Sequence, residues 1–71
     1  MDILVFRTNL FNHDLVQRAG EHLDAMHGVS RWNVDMHDID FILRIEAEQV
    51  SPRNVEEALQ KAGYFCEELE D

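Results

Sequence analysis

Seventy-one residues, 45% of them hydrophobic and 30% charged, allow one domain with one compact core and are too apolar for a disordered chain. Six Lys and Arg against 15 Asp and Glu leave a formal net charge of -9. This argues against nucleic acid and against an anionic membrane surface as partners, because both require clustered basic residues. The longest uninterrupted apolar run, Ile3 to Phe6, is four residues, so no membrane insertion is expected.

That run, Ile3-Leu4-Val5-Phe6, predicts a short strand buried largely on both faces. Asn9, Asn12 and Asp14 follow, short polar side chains that bond local backbone and favour turns and helix starts. Leu15, Val16, Ala19, Leu23 and Met26 then recur at three-and-four spacing, the rhythm of a helix with one buried stripe. Gly28 is the expected left-handed residue that closes it. A helix start at a strand end presents unpaired N–H groups and partial positive charge, which makes the Thr8 to Leu15 loop the first place to look for function.

Trp32, Val34 and Met36 alternate with Arg31, Asn33, Asp35 and His37, the period of a half-exposed strand. His37-Asp38-Ile39-Asp40 predicts a hairpin turn, and Phe41, Leu43 and Ile45 alternate with Ile42, Arg44 and Glu46 in the return strand. Ser51-Pro52 starts a second helix that buries Val55, Ala58, Leu59 and Ala62 and ends at Gly63. Tyr64 to Leu69 supplies a last strand, with Glu67, Glu68, Glu70 and Asp71 as a solvated acidic edge.

Strand, helix, strand, strand, helix, strand is the order of the ferredoxin-like βαββαβ sandwich, an α+β fold with a four-stranded antiparallel sheet and two helices on one face. Right-handed crossovers place the first strand beside the third. They also bring the Thr8 to Leu15 loop, the Asp38 turn and the Gly63-Tyr64 junction to one end, so that Asn12, His13, Asp14, His37 and Tyr64 are expected to be neighbours. The whole chain, residues 1–71, forms this single domain.

At this point the chain resembles the heavy-metal-associated domain family, which includes the small copper chaperones and the metal-binding domains of metal-transporting ATPases. The resemblance runs nearly end to end. It rests on His27-Gly28-Val29, on Trp32-Asn33-Val34-Asp35, and above all on Ser51-Pro52 through Leu59-Gln60-Lys61-Ala62-Gly63-Tyr64. It implies the same fold, a role in metal transport and no enzymatic activity. The family's two Cys-x-x-Cys ligands would fall at positions 12 and 15, where this chain has Asn12 and Leu15. Soft copper(I) prefers paired thiolates, so the family's copper chemistry does not transfer to these two residues.

His13 and Asp14, with His37 from the turn, form the alternative candidate site for a transition metal ion such as zinc, copper or nickel. The competing reading is a solvated histidine at a helix start. In the family the residues between the two ligands face a docking partner, which points to His13; with Phe11 and Asn12 of the same loop and Tyr64 expected beside it, Phe11, Asn12, His13 and Tyr64 form the candidate docking set. The partner implied by the charge is another protein with a basic surface, and the chain itself is expected to be monomeric or weakly dimeric. The rival reading is a structural or regulatory interaction module with no metal, associating through the sheet face or the edge strands. Catalysis has little support. A lone cysteine, Cys66, has no predictable histidine partner, and no glycine-rich phosphate loop is present. That single thiol, together with strand-like sequence directly after Asp2, points to a reducing, cytoplasmic setting.

Overall fold

The computed structural model describes residues 1–69. Six elements follow one another: β1 (Asp2–Thr8), α1 (His13–Asp24), β2 (Val29–Asp35), β3 (Ile42–Ala47), α2 (Pro52–Lys61) and β4 (Cys66–Glu68). The sheet order is β2-β3-β1-β4, with every neighbouring pair antiparallel. This is the ferredoxin-like sandwich, and the first strand lies beside the third as the crossover rule requires.

Both helices cover one face of the sheet, and the side chains sort accordingly. Phe6, Leu43 and Ile45 point from the strands into the core, where Leu10, Leu23, Val55 and Leu59 meet them, all at 0% exposure. Each such side chain contributes roughly 1.5–3 kcal/mol through burial. The opposite sheet face is open. Ile3 is 53% exposed there, so β1 is buried on one face and not on both as its apolar run suggests. The run reads as doubly buried because Ile3 and Val5 are apolar on a side that no helix covers.

The second helix starts and ends as the sequence predicts, whereas α1 closes at Asp24 with Ala25 as its cap, short of the expected close at Gly28, which lies in the turn that follows. Ser51 caps α2 by accepting the Arg53 N–H at 3.1 Å, with Pro52 in the first turn. Gly28 and Gly63 adopt φ values of 98° and 96°. At Gly28 a side chain would also meet the Glu48 carbonyl oxygen at 2.6 Å.

Two other boundaries differ from expectation. The β2–β3 connection begins after Asp35, because the carboxylates of Asp35 and Asp38 take the His37 and Asp40 N–H groups at 2.9 and 2.8 Å and so draw that backbone into turns. The last strand is three residues, not six. Tyr64 N–H bonds back to the Leu59 carbonyl, and Phe65 N–H goes to the Asn9 side chain, so neither joins the ladder. Of the acidic end, Glu67 and Glu68 lie on β4, while Glu70 and Asp71 fall outside the described residues.

Candidate functional site

The end of β1 is anchored by Thr8, which is buried. Its hydroxyl donates to the Phe41 carbonyl at 2.6 Å and accepts from the Leu10 N–H at 3.2 Å, and its own N–H reaches the Asp40 carbonyl at 3.1 Å. Phe41 is held at φ 46°, outside the strand proper. One hydroxyl thus ties the loop after β1 to the turn before β3. Asn9 makes the second tie, its Oδ1 accepting the Phe65 N–H at 3.0 Å. The loop, the β2–β3 turn and the α2–β4 junction therefore meet at one tip. Neither anchor was singled out as such from sequence, although a threonine at a strand end followed by an asparagine is the available signal.

Asn12 is the N-cap of α1. Its backbone is extended, at φ -144° and ψ 166°, and Oδ1 accepts the Leu15 N–H at 2.8 Å. Leu15 is half-buried and packs against the core. The two positions where the resemblance places thiolates thus hold a helix cap and a core-facing leucine. Asp14 sits in the first turn, where its charge offsets the positive helix end, and pairs with Arg18 at 3.1 Å. Phe11 stands out from the loop, 60% exposed.

His13 and His37 both line one open recess of about 560 Å³ whose wall includes Asn33, Asp35, Asp38 and Arg44. Asp14 does not line it. Among the described residues, no three His, Cys, Asp or Glu side chains converge as a metal-ligand group. Tyr64 belongs to the tip by its backbone, but its ring is half-buried and lies edge-on to His22, with centroids 6.4 Å apart. Cys66 is 1% exposed, and burial, with a smaller contribution from the Glu56 charge, pushes its thiol up to about 12. Burial and protonation together disfavour this thiol as a nucleophile at neutral pH.

No family model and no curated relative matches the chain. Solved structures do. The yeast copper transporter domain Ccc2a, solved in apo and Cu(I)-loaded states, superposes with a TM-score of 0.82 at 15% identity, over 97% of this chain and 96% of that one. Oxidized MerP from Ralstonia metallidurans CH34 gives 0.82 at 12% identity over 97% of each chain. The N-terminal domain of ZntA in its Zn(II) form gives 0.78 at 21% identity, over 93% of this chain and 89% of that one. At these identities the likeness is one of fold. The architecture of this chain is that of these small domains, matched over 93 to 97% of its length. No helix of the described residues is long and apolar enough to cross a membrane.

Proposed function

We propose that the chain is a domain of the metal-transport fold whose thiolate site has been lost, and that it works by docking to another protein through Phe11, Asn12 and His13 at the tip. Tyr64 contributes there by its backbone, while its ring supports α1 through His22. The observation that carries this reading is the use of position 12: Asn12 holds the α1 start by a 2.8 Å bond to Leu15, and Leu15 itself turns to the core. A soft-ion pincer has no donors there. The exposed Phe11 ring beside the cap is the kind of apolar group a partner covers, and a chain of net charge -9 favours a basic partner surface. Any metal contact falls to His13 and His37 in the recess, with Asp14 and the neighbouring carboxylates outside a closed ligand set, and is weak. The cytoplasm, reducing enough to keep the lone thiol free, is the compartment that suits this chain.

Metal titration tests the proposal. Zinc, nickel and copper(I) are each added in competition with a micromolar chelator, to the wild-type chain and to His13→Ala. No competitive binding is expected for either. Submicromolar binding that disappears in His13→Ala would overturn the loss of the metal site. The docking half is read from Phe11→Ala, which is expected to leave thermal stability unchanged, since the ring is exposed, while abolishing retention of whatever partner the wild-type chain binds.

A further inference from the structure

The two edges of the sheet are treated differently. On β4 the outward backbone groups are capped by α2: Gln60 Nε2 donates to the Cys66 carbonyl at 3.0 Å, and Glu56 Oε2 accepts the Glu68 N–H at 2.8 Å. That strand is also only three residues long and carries Glu67 and Glu68, so another strand laid against it would meet both covered backbone and negative charge. On the other edge, β2 is seven residues long with β3 as its one hydrogen-bonded neighbour. Among the described residues, no side chain caps the backbone of residues 30–34. A bulge between Val29 and Arg31 disturbs only its start, and the register from Arg31 to Asp35 is regular.

The side chains along this open edge have a particular order. Arg31, Asn33 and Asp35 lie on the uncovered sheet face, reading positive, neutral, negative, while Trp32 and Val34 lie on the helix-covered face. Reversing the strand and placing it antiparallel to itself about Asn33 sets Arg31 opposite Asp35 twice, Asn33 opposite Asn33, and Trp32 opposite Val34 twice. The strand is complementary to itself in this register. Opposite charges and aromatic–β-branched pairs are the combinations that stabilise directly facing positions. Arg31 already leans on Glu46 of β3 at 3.3 Å, so the pairing would extend an existing charge ladder across the junction.

We infer that β2 is a homodimerisation edge, through which two copies of this chain join antiparallel about Asn33 into one continuous eight-stranded sheet. The pairing uses the β2 backbone with Arg31 and Asp35 and none of Phe11, Asn12, His13 or Tyr64, although Asn33 and Asp35 share the recess wall with His13, so a dimer would also narrow that recess. A backbone ladder between identical edges obeys twofold symmetry, which is the commonest form of a soluble homo-oligomer. The net charge of -9 on each copy opposes the encounter, and the local neutrality of the β2 edge directs it to this one register.

Sedimentation velocity over a concentration series, with amide chemical-shift mapping, tests the inference by charge exchange. The wild-type chain is expected to dimerise with concentration and to shift the amides of residues 30–35. Arg31→Asp and Asp35→Arg each place like charges opposite one another twice and should weaken the dimer by at least about tenfold. An equimolar mixture of the two variants restores both cross-strand attractions and should dimerise more tightly than either variant alone, short of wild type because the Arg31–Glu46 pair and the Asp35 bond to the His37 N–H are each lost in one partner. Asn33→Lys sets two ammonium groups together at the twofold axis, disturbs no intramolecular bond, and should also give a monomer. A wild-type chain that stays monomeric at millimolar concentration, or a dimer indifferent to all three substitutions, would overturn the inference.

Discussion

Cys66 illustrates how far one side chain's surroundings decide its chemistry. Its position on β4 puts the sulfur under α2, and the resulting desolvation, with the Glu56 charge adding to it, raises the thiol from 9.0 to about 12. A folded-state pKa above the unfolded one means that the neutral thiol favours folding fully below pH 9. That contribution is lost as pH rises from about 9 towards 12, where the unfolded chain releases the proton and the folded chain does not. Two outcomes are expected. Labelling by a thiol reagent at pH 8 should proceed no faster than global unfolding, and Cys66→Ala should flatten the decline in stability between pH 9 and 11 relative to wild type. Rapid labelling of the native chain would show that the sulfur is accessible after all. In sequence the lone cysteine showed only that it has no predictable histidine partner; its burial comes from the inward face of β4. Likewise, nothing in the sequence distinguished Asn12 as a cap from Asn9 as a tie to Phe65, since an asparagine's role depends on which N–H group the fold brings within 3 Å of it.

Among the elements, α1 and β2 meet at a contact that the periodicity could not show. Gly20 falls in the middle of α1, where glycine costs about 1 kcal/mol relative to alanine, and the reason for it is Trp32. An added Cβ at Gly20 would collide with the indole ring, which is itself held by a 2.8 Å bond from Nε1 to Asp24. Overpacking of this kind costs typically about 1–3 kcal/mol, and breaking the indole bond adds to it, so the clash exceeds the helix-propensity gain. Gly20→Ala should therefore destabilise the domain by roughly 1–2 kcal/mol and change the near-ultraviolet signal of Trp32, the chain's one tryptophan. A variant at least as stable as wild type, with an unaltered spectrum, would contradict this account of α1 seating. The order of the six elements was legible because each changes period where Gly28, Ser51-Pro52 or Gly63 punctuates the chain. The extent of β1 burial and of β4 was not, because Ile3 and Phe65 are apolar residues left on the surface, and hydrophobicity alone does not say which face a helix will cover. That His13 and His37 line one recess likewise depends on how the β2–β3 turn closes over Thr8, whereas the Asp14–Arg18 pair is an i,i+4 pair that the α1 spacing alone provides.

At the scale of the whole molecule the charge imbalance becomes a stability term. Fifteen acidic and six basic side chains are spread over a body whose radius of gyration is 10.8 Å. Among the described residues the attractive side is small: Arg7–Glu67, Arg18–Asp14 and Arg31–Glu46 are surface pairs at 3.1 to 3.3 Å, and such pairs contribute about 0–1 kcal/mol each. The repulsive side acts over longer distances, between carboxylates on opposite faces. At low ionic strength the screening length, about 30 Å at 0.01 M, exceeds the molecule and leaves every acidic pair coupled; at about 0.15 M it falls to about 8 Å and uncouples the distant ones. Added salt therefore removes more repulsion than attraction. The midpoint of thermal unfolding should rise as sodium chloride is increased from about 0.01 to 0.15 M, measured at a protein concentration low enough to keep the chain monomeric so that association at β2 adds nothing. A midpoint that falls over this range would mean that the three surface ion pairs outweigh the net charge of -9, and would remove the electrostatic argument for a basic partner as well.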